Sequence, residues 1–275
     1  MPRRDVHIHL PDIDEPVTLD RIAGDWHIHQ LARGHRFSTD DMVTAWLAVE
    51  HHPSPRRHLD LGTGVGSVGT MVLWHRLGRP DAAEGRSRVD PELPLPLMVG
   101  IEAQEVSHRL NRHTLRRADL EDVVELRHFD FRNPAALPPS EHHTYDLVTG
   151  SPPYFPLGKG VVSPHPQRAA CRMELRGDVF DYCRAAVQAL SRDGLLCICH
   201  AANDPRPEAA LLEMGLTIRD RRDIYFRRNR APTIAIWAAA FGGVRSDGPP
   251  IVVREEDGTM TEQYLQIRRS MGAPK

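Results

Sequence analysis

Three closely spaced glycines, Gly62, Gly64 and Gly66, come directly after the short apolar stretch Arg57–Leu61. Glycines at this spacing let the backbone turn tightly and let a ligand approach main-chain atoms that a Cβ atom would block. A helix is predicted to follow, so its free N-terminal amides point at the same place. Asp60 stands two residues before the first glycine and suits a ligand with a positive amino group better than a pyrophosphate. The stretch predicts a nucleotide-type pocket, with an ordinary glycine turn as the alternative.

An acidic residue ends the next apolar stretch. Leu97–Glu102 predicts a second strand whose last residue is placed to accept hydrogen bonds from ribose hydroxyls. In nucleotide-binding α/β folds that residue follows the glycines by about 20 positions, whereas Glu102 follows Gly66 by 36. We interpret the 18 residues 79–96, which are rich in Pro, Arg, Asp and Glu, as a flexible surface insertion. Without this insertion the expected interval is restored, which supports the pocket.

The third predicted strand, Val123–His128, leads to a further carboxylate. Asp130 is placed to accept from the exocyclic amine of an adenine, while the ring of Phe131 covers the base. A helix-capping or loop aspartate is the alternative when Asp130 is taken in isolation. Its position in a series with the glycines and Glu102 favours the binding-site interpretation.

A fourth predicted strand, Tyr145–Gly150, runs into a rigid corner whose residues are Ser151, Pro152, Pro153, Tyr154 and Phe155. The two prolines fix the backbone just past the strand end, so Ser151 and Tyr154 project from it. A hydroxyl and a main-chain carbonyl both accept from an amine, and the aromatic rings offer flat faces to a base. The corner therefore predicts the place of a planar, amino-bearing target. A strand merely ended by prolines is the alternative.

The formal net charge of the whole chain is -2 and its pI is about 6.8. Contacts with a nucleic-acid backbone must therefore come from local clusters of positive charge. Residues 219–230 carry six arginines around Tyr225 and Phe226. Interleaved arginines and aromatics can contact a nucleic-acid backbone and stack on bases, although a solvated hairpin is an equal alternative. The residues that we predict to contact a nucleic-acid substrate are Arg36, Lys159, Arg227 and Arg228.

Other elements must position these groups. Trp26–Gln30 predicts a strand, and Arg33–Phe37 a turn and second strand. Ser38-Thr39-Asp40-Asp41 then caps a helix, and the whole segment is interpreted as a small N-terminal lid ahead of the core, with a structural preamble without ligand contact as the alternative. An earlier strand through Val6, Ile8 and Leu10 is also predicted. The later elements are predicted to be the helices Val65–Leu77, Val106–Arg117, Pro207–Met214 and Thr261–Arg269, and the strands Gly194–His200, Leu216–Ile218, Thr233–Ala238 and Ile251–Val253. The segment Arg168–Leu190 is predicted to be largely helical.

Length and composition limit the class of protein. A chain of 275 residues suffices for one large domain with appendages. Its four cysteines form no CxxC pair and predict reduced thiols. We see no signal peptide and no apolar run of membrane-spanning length, so we expect a soluble cytoplasmic protein with no membrane partner.

Paired histidines, His7 with His9 and His27 with His29, are the one pattern that suggests a metal. Histidines two residues apart on a strand share a face and can hold an ion. No acidic or histidine partner set follows at recognisable spacing, so we interpret the pairs as exposed strand histidines and expect no metal.

The motifs together resemble class I S-adenosylmethionine-dependent methyltransferases of the adenine-N6 type, which carry an Asn/Asp/Ser-Pro-Pro-Tyr/Phe/Trp motif. Within them the chain is similar to the bacterial tRNA1(Val) adenine-N6-methyltransferase group. The likeness covers most of the chain. It extends from the lead-in Arg36-Phe37-Ser38-Thr39-Asp40, through the corner, to Asp257-Gly258-Thr259 and Thr261-Glu262-Gln263-Tyr264.

The resemblance implies an α/β, Rossmann-like fold with a seven-stranded, mostly parallel sheet and helices on both faces. It implies three segments: an N-terminal extension or lid at 1–52, an S-adenosylmethionine-binding core at 53–242, and a strand-helix tail at 243–275. It further implies that the methionine portion of the donor lies at Asp60, Gly62, Thr63, Gly64 and Gly66, the ribose at Glu102, the adenine at Asp130 and Phe131, and the target at Ser151 to Phe155.

The implied reaction is methyl transfer to the exocyclic amine of adenine in RNA, most simply tRNA. No strong base is required, because the donor is already activated and the protein must place a nitrogen lone pair in line. Ser151 departs from the group, which usually has Asn there, and serine occurs among amino-methyltransferases acting on cytosine. Cytosine, a protein glutamine and a non-catalytic RNA-binding scaffold therefore stay as alternatives.

Overall fold

A computed structural model describes residues 7–81, 84, 86–159 and 161–274. Near the N-terminus it contains a three-stranded antiparallel sheet in the order β1-β2-β3, formed by β1 (Ile8–Leu10), β2 (Ile13–Ala23) and β3 (Trp26–Leu31). The predicted strand at Trp26 is confirmed, and Ile8 and Leu10 lie in β1, whereas Val6 falls outside the described residues. The long strand β2 was not predicted, because Asp14, Glu15 and Asp20 interrupt its apolar pattern.

The main sheet has eight strands within the described part of the chain. In chain order they are β4 (His58–Leu61), β5 (Met98–Glu102), β6 (Val124–His128), β7 (Tyr145–Gly150), β8 (Leu190–Ala201), β9 (Leu216–Tyr225), β10 (Ile234–Phe241) and β11 (Ile251–Val252). Across the sheet their order is β11-β9-β10-β8-β7-β4-β5-β6. Strand β10 is antiparallel to both neighbours and every other pairing in this sheet is parallel.

The α/β class and the mostly parallel sheet are thus confirmed, but the predicted strand number of seven was wrong. The additional strand is β11, which pairs in parallel with the outer strand β9, Ile251 opposite Ile224. A short strand was predicted at Ile251–Val253, so only its place in the main sheet was missed, because pairing with a strand distant in the chain leaves no local signal.

Helices cover both faces of the main sheet. They are α1 (Thr39–His51), α2 (Ser67–Arg76), α3 (Glu105–Arg117), α4 (Pro166–Arg172), α5 (Val179–Ala189), α6 (Arg206–Glu213) and α7 (Glu262–Ser270), with short 3-10 turns at Arg86–Arg88, Pro134–Ala136 and Pro139–Glu141. One core contains side chains of α1, α2, α3, α7 and the N-terminal sheet. The core on the other face contains side chains of α5 and α6. Two-sided burial is typical of parallel strands and matches the mostly apolar residues of β5.

One local prediction was wrong. The segment Arg33–Phe37 forms no strand, because the side chain of Gln167 accepts a hydrogen bond from the His35 amide at 2.9 Å and holds the segment from a distant part of the chain. The segment Arg168–Leu190, predicted to be largely helical, contains most of α4 and all of α5. Between the two helices the chain bends and turns, and Met173 forms an isolated parallel bridge with Phe155.

Of the N-terminal histidines, His7 and His9 are exposed as predicted, whereas His29 is not. His29 is buried, and its Nδ1 lies 3.2 Å from the hydroxyl of Thr114 on α3. Burial lowers its pKa to about 4, so the imidazole is neutral. Among the described residues no group of three or more His, Cys, Asp or Glu side chains could hold a metal ion. Likewise, no described helix combines the length and apolar character needed to cross a membrane.

Candidate active site

The glycine turn joins β4 to α2, at the carboxyl edge of the main sheet. Gly62, Gly64 and Gly66 have φ angles of 61°, 57° and 87°, a region that favours glycine. A Cβ atom on Gly66 would lie 2.6 Å from Asn111, and one on Gly62 would collide with the Tyr182 hydroxyl. A Cβ atom on Gly64 would instead meet open space, its nearest atom being the Gly62 carbonyl oxygen at 3.9 Å. The turn is therefore packed on two sides and open at Gly64, where a ligand can contact the backbone.

Asp60 lies buried beneath this turn. Its Oδ2 accepts from the Thr63 hydroxyl and its Oδ1 from the Thr149 hydroxyl, both at 2.6 Å. Burial raises its pKa to about 6, although the hydrogen bonds from Thr149 and Thr63 oppose the rise. The carboxylate thus holds the turn against β7 and also lines the cavity in front of it.

Glu102, at the end of β5, braces the same turn from the other side. Its Oε2 accepts from the Gly64 amide at 2.8 Å and its Oε1 from the Gln104 amide at 2.6 Å. Burial raises its pKa, and the two amide hydrogen bonds oppose that rise. Each carboxylate oxygen keeps a lone pair that a ligand hydroxyl could use.

Asp130 and Phe131 follow β6 and line the same cavity. Arg132 pairs with Asp130 at 2.6 Å and lowers its pKa, so this carboxylate is ionised. The ring of Phe131 packs edge-on against Tyr182, with centroids 4.6 Å apart. We call this space the glycine-turn cavity. Its lining includes Asp60, Gly62, Thr63, Gly64, Glu102, Gln104, Asp130, Phe131, Arg176 and Tyr182.

The segment Ser151 to Phe155, which we call the Pro-Pro corner, borders a second space, the corner cavity. The lining of this cavity includes Ser38, Asp40, Ser151, Pro152, Tyr154, Phe155, Arg172, Phe226 and Thr233. The Tyr154 hydroxyl lies 3.0 Å from Asp40 Oδ2 and 3.2 Å from the Cys199 sulfur. The Cys199 sulfur is in turn 3.5 Å from the Ser151 hydroxyl. A polar chain therefore runs from Ser151 to the start of α1.

Aromatic rings at the corner have different surroundings. Tyr154 packs against the buried His200, with ring centroids 5.0 Å apart. Phe155 is 38% exposed, and the Arg172 guanidinium lies 5.4 Å from its ring centroid. Phe226, from the arginine-rich segment, is 37% exposed and lines the same cavity. Two accessible rings and a cation thus border the corner cavity.

Four side chains, His35, Asp41, Ser151 and Cys171, line both cavities. The two spaces therefore meet beside the first residue of the corner. Asp41 is half-buried, and burial together with the nearby Asp40 raises its pKa to about 8. The sequence indicated Asp41 only as a helix-capping residue. Its place in the site depends on the packing of α1 against parts of the sheet that are distant in the chain, which no local pattern predicts. No local sequence pattern marked Cys171 or Tyr182 as site residues, since Cys171 enters the site from α4 and Tyr182 enters it from α5.

The residues predicted to bind nucleic acid differ in whether their charges are paired. Arg36 pairs with Asp20 at 2.7 Å, and Arg228 pairs with Glu255. Lys159 and Arg227 are exposed.

The neighbouring arginines are mostly engaged as well. Strand β9 extends to Tyr225, so Arg221 and Arg222 lie within it rather than in a hairpin loop. Arg221 pairs with Asp223 at 2.9 Å, and Arg222 pairs with Asp220 at 2.8 Å. The arginine-rich segment is therefore less positive than its composition indicates.

Comparison with known proteins gives consistent likenesses. No protein-family model matches the chain. A tRNA1(Val) (adenine(37)-N6)-methyltransferase from Salmonella arizonae is 24% identical over 234 residues, covering 83% of this chain and 84% of that protein. One of the same name from Erwinia tasmaniensis is 26% identical over 187 residues, 66% of this chain and 65% of that protein. Among solved structures, a predicted O-methyltransferase from Agrobacterium tumefaciens superposes with a TM-score of 0.57 at 18% identity, over 86% of this chain and 98% of that chain.

Proposed function

We propose that this chain, which is a class I S-adenosylmethionine-dependent methyltransferase, methylates the exocyclic amine of an adenine in RNA, with tRNA as the substrate class. S-adenosylmethionine is the expected cofactor. The observation that carries the proposal is the position of Ser151, whose side chain lines both the glycine-turn cavity and the corner cavity. A group in one cavity can therefore reach a group in the other beside the corner.

The residues of the glycine-turn cavity fit the cofactor. Open space at the Cβ position of Gly64 leaves room for a ligand against the backbone, and Asp60 and Thr63 lie beneath it. Glu102 carries free lone pairs for a ribose, and the ionised Asp130 beside Phe131 suits an adenine amine under a ring. When bound, S-adenosylmethionine supplies an activated methyl group.

The corner cavity suits the target base. The Ser151 hydroxyl and the Pro152 carbonyl are acceptors for an amine, and the exposed ring of Phe155 can stack on a base. The corner is held rigid because Tyr154 is tied to Asp40 and Cys199. A base must leave its own stack to enter such a site, so we expect an adenine in a loop or other unstacked region of the RNA.

The tRNA1(Val) methyltransferases to which the chain is similar suggest the substrate. Lys159 and Arg227 are the exposed cations that we propose to contact RNA phosphates, with smaller contributions from Arg36 and Arg228, whose charges are paired. Positioning by such contacts is expected to be sequence-independent.

The test is to incubate the protein with methyl-labelled donor and an unmodified tRNA1(Val) transcript, digest the RNA, and identify labelled nucleosides by mass spectrometry. N6-methyladenosine supports the proposal. N4-methylcytidine would move the enzyme to another base, and label found only in protein would reject an RNA substrate. A Tyr154→Ala variant that still binds the donor serves as the transfer-deficient control.

A further inference from the structure

Methyl transfer to an amine leaves a proton to be removed. The nitrogen lone pair forms the new N–C bond, the C–S bond breaks, and its electron pair stays on sulfur. The methylated nitrogen then carries a positive charge until one N–H bond gives its proton to an acceptor. A base beside the nitrogen can accept that proton and pass it on to solvent.

The corner itself offers weak acceptors. A serine hydroxyl and a prolyl carbonyl form hydrogen bonds, but neither is a useful base near neutral pH. Of the other three side chains that line both cavities, burial lowers the pKa of His35, which makes its imidazole a poor base. Burial raises the pKa of the Cys171 thiol to about 12, so it stays neutral. Of the four side chains that line both cavities, the carboxyl of Asp41 is therefore the remaining candidate for a base.

We propose that Asp41 accepts the proton released by the target amine, at the passage between the glycine-turn cavity and the corner cavity. This inference rests on the proposed function and adds a catalytic residue to it. The helix α1 delivers the side chain to that passage, and no feature of the glycine turn or of the Pro-Pro corner supplies an equivalent carboxylate there.

The position of Asp41 is fixed by the helix that carries it. Its Oδ2 accepts from the Ser38 amide at 2.8 Å, as the third residue of a capping box. A carboxylate has lone pairs for several partners, so this bond leaves the group able to accept a proton. The next residue toward the N-terminus, Asp40, bonds to Tyr154. One helix end therefore both holds the corner and presents a base beside it.

The charges around Asp41 set its protonation. Burial is the main cause that raises its pKa to about 8, and Asp40 on its own helix and Asp60 on β4 add to the rise. Cys171 from α4 and His35 from the preceding loop also line the passage, and Arg176 lines the glycine-turn cavity. A cationic sulfonium bound nearby favours the ionised carboxylate. A base with a pKa near the working pH is also the most effective one.

The test compares Asp41→Asn with Asp181→Asn. Asp181 holds the same third position in the capping box of α5 and lines neither cavity, so it controls for loss of the cap. With unmodified tRNA1(Val) transcript, Asp41→Asn should reduce kcat by about a hundredfold, with the Kd for S-adenosylhomocysteine changed less than about threefold. The rise of wild-type kcat with pH should be absent from Asp41→Asn and retained by Asp181→Asn.

A second readout needs no turnover. Calorimetric titration of wild type with S-adenosylmethionine near pH 7.5, in buffers of different ionisation enthalpy, should show release of part of a proton, and Asp41→Asn should release less. Wild-type kcat and pH dependence in Asp41→Asn, or unchanged proton release, would overturn the role of Asp41. A wild type that forms no N6-methyladenosine fails the proposed function instead.

Discussion

The Tyr154 hydroxyl donates to Oδ2 of Asp40 across 3.0 Å, which ties the Pro-Pro corner to the first turn of α1. The two residues are 114 positions apart in the chain. Because the same hydroxyl is also 3.2 Å from Cys199 on β8, the ring of Tyr154 is held in one orientation. Tyr154 therefore supports the corner as well as bordering the cavity beside it.

Two substitutions separate these roles. Tyr154→Phe removes the hydroxyl and keeps the ring, so we expect a loss of about 1–2 kcal/mol in the free energy of unfolding and a moderate fall in methyl transfer. Tyr154→Ala also removes the ring and should reduce methyl transfer strongly. Donor binding should be nearly intact in both, as measured by calorimetry. An equal loss of donor affinity and activity in Tyr154→Ala would mean that the corner supports the glycine-turn cavity instead.

Replacing Asp60 with Ala should weaken donor binding by roughly 1–3 kcal/mol. The structure adds a reason, because the hydroxyls of Thr63 and Thr149 would lose their buried acceptor and the turn would lose its link to β7. Calorimetry measures the binding, and urea denaturation measures the accompanying loss of stability. Absence of any donor binding by the folded wild type would contradict the expected cofactor.

Glu102→Gln should weaken donor binding by about tenfold. The glutamine side chain has one oxygen and one NH2 group, so its NH2 would face the N–H of either Gly64 or Gln104 and one of the two hydrogen bonds would be lost. The matched control is Glu105→Gln, three residues on, whose exposed side chain pairs with Arg109 outside the cavity. Calorimetric Kd values for S-adenosylhomocysteine should change in the first variant and stay constant in the second.

The elements predicted well from the sequence are those whose signal is local. Strand β7 matches its predicted bounds, and the glycine turn, β4 and α2 lie where their residue pattern indicates. A turn that requires positive φ can be filled by few residues other than glycine, so its sequence is informative in itself. The glycine-turn cavity was accessible to prediction for this reason.

The parts that were missed depend on contacts between distant segments. The amide of His35 is held by Gln167, 132 positions away, and no local pattern predicts that bond. Asp41 reaches the passage because α1 packs on the sheet, with Met42 to Val49 all buried. The arginines of β9 find acidic partners on neighbouring positions of the sheet, which composition alone cannot show.

Acid should destabilise the fold through buried histidines. Burial lowers the pKa of His58 to about 3, against 6.5 for the unfolded chain, and its Nε2 lies 2.7 Å from the Thr149 hydroxyl. Below pH 6.5 the unfolded chain binds a proton that the folded chain does not, so stability is lost as the pH falls toward 3. Between pH 6.5 and 5 this amounts to about 2 kcal/mol.

The raised pKa values of Asp41 and Asp60 act in the opposite direction, because a buried carboxyl with a raised pKa stabilises the fold at low pH. The effect of His58 is therefore isolated by comparing wild type with His58→Gln, which can still donate to Thr149. Urea denaturation at both pH values should show a smaller loss in the variant by about 2 kcal/mol. Equal losses in the two proteins would mean that His58 does not titrate on unfolding.

The last prediction concerns the RNA-binding surface, where the two adjacent arginines differ. Arg227 is exposed, whereas Arg228 pairs with Glu255 through two nitrogens, one of them at 3.0 Å. A paired guanidinium offers less charge to a phosphate, so Arg227→Glu should weaken RNA binding more than Arg228→Glu does. If Arg227 contacts one phosphate, the slope of log Kd against log salt should fall by about 1. Arg184→Glu is the control, because Arg184 is an exposed arginine paired with Asp181 and lines neither the glycine-turn cavity nor the corner cavity. Donor affinity should be unchanged in all three variants, and equal RNA affinity and salt slope in Arg227→Glu and wild type would place the RNA on another surface.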